Sequence, residues 1–249
     1  MDKPLNQILT YNEIDYHFYS LLNNYYKKKY NSIINLENIH KLLNSNEISD
    51  DCKNYFKKIP IFGKTDRNSV FVKDFYNYYD NDYSFFFEYL NFIKNVIKPL
   101  FKSETILVIQ KTPNIRFHLP GCSNIGKRET DKYEDIIGLH NDSEFGHPEE
   151  EINVVLPITK MFETNSIYYE EYPNSKIDVH NYSNLNLNKC NFFLGYLNKC
   201  NHYNKINKTE QTRVSLDFRI IPYSKFKKCE KSSATFNLKF EVGNYYVLI

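Results

Sequence analysis

Apolar and aromatic positions recur every three or four residues over roughly the first hundred residues, and the pattern then shortens to a period of two. Over residues 5–30, Tyr11, Ile14, Phe18, Leu21 and Tyr25 follow the helical spacing and predict one helix. Residues 32–43 predict a second, shorter helix, ended by the polar run Asn44-Ser45-Asn46-Glu47. Ile59-Pro60-Ile61-Phe62-Gly63 reads as a loop, since its Pro and Gly interrupt either repeat. Residues 83–101 carry the firmest helical pattern. Phe86, Tyr89, Leu90, Phe92, Ile93, Val96 and Ile97 mark its buried face, and Pro99 stands where it ends.

Beyond residue 104 the apolar segments are short and β-branched, and Pro, Gly, Asn or Lys-rich connections flank them. They predict strands at 105–111, 115–119, 136–140, 151–156, 166–170, 190–197 and 212–221, with a last one at 245–249. Many short strands after a helical block predict an α+β, mainly β fold, a sandwich or barrel with helices packed outside. The link at 101–104 is too short for a hinge, so residues 1–104 form a helical region integral to the fold of the 105–249 core. The expectation is one compact domain, which suits a chain of 249 residues.

Composition adds mostly exclusions. Hydrophobic residues at 41% and charged residues at 25% are ordinary for a soluble globular chain. The 22 Tyr and 19 Phe sit in a chain crowded throughout with Asn, Lys and Ile, so a coding bias accounts for them. A formal net charge of +2 gives no electrostatic footprint for nucleic acid, and Lys27-Lys28-Lys29 and Lys227-Lys228 read as solvated surface. No apolar run reaches the length of a membrane span and the start lacks a signal-peptide layout; the expectation is a soluble, cytoplasmic protein. Five Cys, odd in number and without CxxC spacing, point away from a disulfide framework or a structural zinc module.

The candidate chemistry begins at Leu139-His140-Asn141-Asp142, which closes an apolar run. In a strand, His140 and Asp142 share one side of the pleat and make two-thirds of the 2-His-1-carboxylate triad that holds non-haem Fe(II). Three later histidines compete for the third place. His147, in a Phe-Gly-His-Pro turn, is too near in sequence to come from another strand, and His180 lies in a polar loop. His202, sixty residues after Asp142, is expected at a strand edge on the far side of a barrel. Eleven residues further, Arg213-Val214-Ser215 begins a strand whose alternation puts Arg213, Ser215 and Asp217 on one side. A guanidinium beside a hydroxyl makes a carboxylate clamp of the kind a dicarboxylate such as 2-oxoglutarate needs.

His-x-Asp, a distant His and Arg-x-Ser in that order resemble the Fe(II)/2-oxoglutarate-dependent dioxygenases. The surrounding text is similar to one of their subfamilies, the hydroxylases of the streptomycin-biosynthesis, StrG-like type. It is carried by Arg116-Phe117-His118-Leu119-Pro120, Gly146-His147-Pro148, Glu151-Ile152-Asn153, Leu156-Pro157-Ile158-Thr159, Asn165-Ser166 with Glu170, Asn201-His202 and Thr212 to Arg219. The likeness covers about residues 105–223 and only loosely the helical part, through Phe62-Gly63 and Asp66-Arg67-Asn68. It implies a double-stranded β-helix (jelly-roll), His140, Asp142 and His202 as iron ligands, and Arg213 with Ser215 as the 2-oxoglutarate clamp. O2 would be the other cosubstrate and a small molecule the substrate.

Several roles stay open at this level. Arg219 shares the inward side and competes with Arg213 for the clamp or touches substrate. Arg116 either points inward, toward cosubstrate or an anionic substrate, or is a surface arginine of an edge strand. Asn153 either hydrogen-bonds an oxygen at the iron or satisfies backbone groups, and His147 either orients Asp142, meets substrate or only fills a turn. Two other readings compete with an oxygenase: a jelly-roll binding or regulatory protein without catalysis, and a cupin-type isomerase or hydrolase, which would need no Arg-x-Ser clamp.

Overall fold

The computed structural model describes residues 6–58, 66–126, 129, 131–234 and 236–249. Among these, the helices are α1 (Phe18–Lys29), α2 (Asp50–Lys58), α3 (Val70–Asn81) and α4 (Tyr83–Phe92), joined by short 3-10 turns. The strands are β1 (Gln7–Thr10), β2 (Leu107–Gln110), β3 (Asn114–His118), β4 (Ile137–His140), β5 (Ile152–Pro157), β6 (Ile167–Tyr169), β7 (Ser183–Asn184), β8 (Asn191–Gly195), β9 (His202–Asn204), β10 (Arg213–Pro222) and β11 (Tyr246–Leu248). The larger sheet runs β1-β8-β5-β10-β2-β11, and β3 pairs with the first half of β10 while β2 pairs with its end. The smaller sheet runs β4-β9-β6-β7. Every pairing between named strands is antiparallel, giving a mainly β, α+β architecture.

Strand β10 explains how the larger sheet serves two purposes. Its even positions Val214, Leu216, Phe218 and Ile220 join the main core with Ile115 and Phe117 of β3 and Ile152, Val154 and Leu156 of β5. The helices cover that face. Phe18, Leu22 and Tyr26 of α1, Phe71 and Phe75 of α3, and Phe85, Tyr89 and Phe92 of α4 are all buried there at helical spacing. Tyr89 meets Phe218 edge-on at 5.1 Å and gives its hydroxyl proton to the Gln110 carbonyl at 2.8 Å, so its polar end is satisfied. Fully burying each such ring contributes about 1.5–3 kcal/mol. The odd positions of β10 face the other way, toward the smaller sheet. There Val155 and Phe193 pack with Met161, Leu185, Leu187 and Leu197 against Ile167 and Tyr169. Beside this second cluster the space between the sheets turns polar.

The helical expectations need three corrections. Residues 5–30 are not one helix: β1 pairs with β8 across Gln7↔Leu194 to Thr10↔Asn191, and α1 starts only at Phe18. The unpaired edge of β8 captures that segment, and an edge can outbid a helical spacing because backbone hydrogen bonds count equally in either state. Residues 32–43 contain a 3-10 helix, Leu36–Asn44, rather than an α-helix. The firmest predicted helix is α-helical only to Phe92, then widens into a π turn at Ile93–Ile97 and tightens to a 3-10 turn at Lys98–Leu100 around Pro99. The residue-59–63 loop lies outside the described residues. Helix α3, which no strong period announced, is capped by the Ser69 hydroxyl on the Val72 N–H. The eight predicted strands all form, either shortened or shifted by one residue, while β1, β7 and β9 were not foreseen.

No helix among the described residues is long and apolar enough to cross a membrane.

Candidate metal and anion site

Strand β4 ends on His140 and pairs with β9, which begins on His202, so the two residues are direct cross-strand partners. His202 therefore comes from the neighbouring strand, not from the far side of a barrel. Their rings lie 4.3 Å apart. Asp142 also departs from the expected placement. The strand stops at His140, because the N–H groups of Asp142 and Ser143 donate to the carbonyls of Leu197 and Asn198, at 3.2 and 3.1 Å, and start a 3-10 turn. The turn, rather than the pleat, brings the carboxylate back beside the imidazoles. His140, Asp142 and His202 thus gather their ligand atoms within 4.8 Å of one another.

Both histidines are oriented by one local device. His140 Nδ1 meets the carbonyl of Gly138, and His202 Nδ1 meets that of Cys200 at 3.0 Å. A carbonyl only accepts, so each Nδ1 carries the proton and each Nε2 the lone pair. Both Nε2 atoms face the same oxygen, Asp142 Oδ1, at 3.7 Å. Adjacent ligands at about 2.1 Å from a metal stand about 3 Å apart, so small side-chain rotations would seat an ion among the three.

Gly138 makes the first of these bonds possible. Its φ of +68° kinks β4 where the register with β9 shifts, and a Cβ there would stand 2.4 Å from Ile125 Cδ1. Gly138→Ala is expected to lower metal affinity by about ten- to a hundredfold, the usual effect of disturbing a ligand's outer partner. Calorimetric titration with Mn(II) reads this directly.

The second oxygen of Asp142 is held by the sheet. Oδ2 accepts from Arg219 Nη2 at 2.7 Å and from Asn153 Nδ2 at 2.8 Å. Arg219 and Asn153 are themselves paired across β10 and β5. Burial pushes the Asp142 carboxyl up, but the Arg219 guanidinium and the imidazoles of His202, His147 and His140 hold it well below the usual carboxylate range. Arg219 also lies 3.2 Å from Asp217 and 4.0 Å from Glu151. Glu151, fully buried, accepts from the Tyr246 hydroxyl and pairs with His147 at 2.7 Å. His147 thus supports Asp142 indirectly, through Glu151 and Arg219.

One cavity of about 240 Å³ joins these residues to the rest of the polar face. Arg213, Ser215, Asp217 and Arg219 of β10 line it together with Asn114 and Arg116 of β3, as period-two alternation requires. Arg116 sits on an edge strand yet points inward, and Asp66 holds its Nη1 at 3.1 Å. Asp66, fully buried, also accepts the Phe117 N–H at 2.9 Å.

Arg213 is different. It is fully buried, and its Nε, Nη1 and Nη2 find no hydrogen-bond partner among the described residues. Burial pushes its guanidinium down to about 10, with Asp66 drawing it up and Arg116 adding to the fall. A buried, unpartnered guanidinium is costly unless an anion or another acceptor completes it, which makes Arg213 a candidate anion position on the cavity wall. Beside it His118 is fully buried. Burial and Arg213 push its imidazole down to about 3, against the carbonyls of Asn165, Cys122 and Lys205 that draw it up.

Other sequence candidates lie elsewhere. His180 is exposed on a 3-10 turn. Asn165 ties its own turn by accepting from the Phe162 N–H at 2.8 Å, and Glu170 accepts from the Asn201 N–H at 3.0 Å. Asp66, Glu151, Asn124 and Asn204 escaped the sequence reading as site residues. Nothing periodic announces a residue in a 3-10 turn or a three-residue strand.

The chain is similar to the streptomycin biosynthesis protein StrG of Streptomyces griseus. The two are 29% identical over 139 residues, which is 55% of this chain and 58% of StrG. The match thus spans less than two thirds of that relative's length. No family model matches the chain. Among solved structures, the nickel complex of the non-heme monooxygenase ThoJ covers 69% of this chain and 65% of its own at 11% identity, with a TM-score of 0.36. ThoJ in its apo form covers 88% and 73% at 10% identity, with a TM-score of 0.40. TM-scores at that level decide neither fold nor function.

Proposed function

We propose that this chain is an Fe(II)- and 2-oxoglutarate-dependent oxygenase on a jelly-roll scaffold. It would hydroxylate a small-molecule metabolite with O2 and release succinate and CO2. The observation that carries the reading is a single cavity holding both a 2-His-1-carboxylate donor set and a buried arginine without a partner. Two imidazole nitrogens and one carboxylate oxygen suit Fe(II) and leave coordination positions open on the cavity side. Arg213 and Ser215 suit the remote carboxylate of a dicarboxylic 2-oxo acid. The similarity to StrG, a biosynthesis protein by name, is in keeping with a small-molecule substrate.

In this reading His140, Asp142 and His202 hold the iron. When bound, iron and 2-oxoglutarate together supply the activation of O2. The protein's own residues do the positioning. The carbonyls of Gly138 and Cys200 keep the protons on Nδ1, and Arg219 with Asn153 fixes the Asp142 carboxylate through its second oxygen. Arg219 is committed to Asp142, which favours Arg213 over it as the clamp. Arg116 is likewise tied to Asp66, and Phe145 packs edge-on 5.1 Å from the His140 ring.

The test is succinate formation from 2-oxoglutarate by the purified protein supplied with Fe(II) under air, with or without a substrate. Turnover is expected to need both iron and 2-oxoglutarate and to vanish in His140→Ala. Succinate formation unchanged in that variant sinks the triad assignment. Metal binding with no 2-oxoglutarate binding sinks the cosubstrate and leaves a metal-dependent isomerase or hydrolase. Binding of both without turnover leaves a non-catalytic binding protein.

A further inference from the structure

The cavity holds polar atoms that neither iron nor 2-oxoglutarate engages. We infer that the substrate is a neutral polyhydroxylated small molecule, a sugar or polyol, bound by the amides of Asn114, Asn124 and Asn204 and the carboxylate of Asp217; this rests on the oxygenase reading of the same site. All four side chains line the cavity that contains the triad. The three asparagines are only 4%, 4% and 5% exposed. Their Oδ1 atoms find no hydrogen-bond partner among the described residues, and neither does Asp217 Oδ1, which lies 3.2 Å from Arg219 Nη1 without hydrogen-bond alignment.

The four come from different walls. Asn114 and Asp217 face each other across the β3–β10 pairing. Asn204 stands two residues beyond His202 on β9, and so on the same side of that strand. Asn124 sits on the connection between β3 and β4, where its carbonyl accepts the Asp66 N–H at 3.1 Å. A buried acceptor that the protein leaves unpaired costs about 1–3 kcal/mol until an entering molecule donates to it, and several on one cavity wall mark where such donors are taken up. The ligand must therefore bring donors.

That requirement selects among substrate classes. 2-Oxoglutarate as a dianion carries acceptors alone, so it satisfies none of the four, and neither would any other anion without donors. An alkyl or aryl substrate would bury them bare. An ammonium group would pair with the oxygens but would enter a cavity walled by Arg67, Arg116, Arg213 and Arg219. A hydroxyl both donates and accepts, so it matches a primary amide through either end. Several hydroxyls on one compact frame match amides arriving from both sheets.

Saturation-transfer NMR on the full chain loaded with Zn(II) and N-oxalylglycine tests this, with glucose, sorbitol and methyl glucoside set against lysine, citrate and hexanol. The polyols are expected to receive saturation and the other three not. Asn204→Leu and, on a less constrained segment, Asn124→Leu are each expected to weaken polyol binding about tenfold or more. No transfer to any polyol, preferential binding of lysine, citrate or hexanol, or unchanged polyol affinity in both variants would overturn the inference. Calorimetry on the unmodified chain keeps the two readings apart. If 2-oxoglutarate does not bind there, the oxygenase reading fails whatever the polyols do.

Discussion

Arg213→Met is expected to weaken 2-oxoglutarate binding severely and, in the same protein, to raise the stability of the ligand-free fold. The two effects share one cause. Arg213 is fully buried with no hydrogen-bond partner among the described residues, and its neighbours include another cation, Arg116. The ligand-free protein bears the desolvation of that charge with only the through-space attraction of Asp66 and Asp217 against it and no hydrogen bond. Methionine fills similar volume without it, so unfolding free energy should rise on the order of 2 kcal/mol, read as an upward Tm shift of several degrees. A bound dicarboxylate repays the desolvation in the native protein, through charge-assisted hydrogen bonds that methionine cannot make. Affinity should fall by about two to three orders of magnitude. Accordingly, added 2-oxoglutarate with Mn(II) should raise the Tm of the native chain beyond the effect of metal alone but leave the variant where metal put it. A variant that is less stable and still binds 2-oxoglutarate would remove Arg213 from the clamp.

Asp142→Asn should show the opposite sign in stability together with the loss of metal. Asp142 is the partner that compensates Arg219, at 2.7 Å, and both are buried. Neutralising it leaves Arg219 with Asp217 and the more distant Glu151. Breaking a buried pair from one side costs about 3–5 kcal/mol where nothing else compensates; with two other carboxylates near, about 2–3 kcal/mol is expected. Metal affinity should fall further than the about ten- to hundredfold that an outer partner costs, because Asp142 supplies the one carboxylate of the candidate donor set. Urea unfolding and Mn(II) titration measure the two effects separately. Loss of metal affinity without loss of stability would show that Arg219 does not depend on Asp142.

Both variants are informative because the site is made from charges whose partners differ. Asp142 and Glu151 are taken up inside the protein by Arg219, His147 and Tyr246, whereas Arg213 is left for something that enters. The distinction cannot be seen in Arg213-Val214-Ser215-Leu216-Asp217-Phe218-Arg219 as a string, where the two arginines are equivalent inward positions. It depends on which carboxylate the other strands bring opposite each guanidinium.

What the sequence by itself determined is the set of residues and their sides. The alternation of β10 set Arg213, Ser215, Asp217 and Arg219 apart from the core positions between them, because a pleat admits no other arrangement. His140, Asp142 and His202 were legible as a candidate metal-ligand set from residue type and order, and the strand segments from β-branched runs. Only the tertiary structure decided the rest. Pairing of β4 with β9 put the two histidines side by side, and a 3-10 turn held by the carbonyls of Leu197 and Asn198 returned Asp142 to them. An open edge on β8 turned residues 7–10 from predicted helix to strand. Asn124, Asn204 and Asp66 belong to the site through long-range contacts that leave no periodic trace. Local spacing fixes which way a side chain points; what it meets there is set by chain brought from elsewhere, and in this protein that separates the arginine that is already paired from the one that is not.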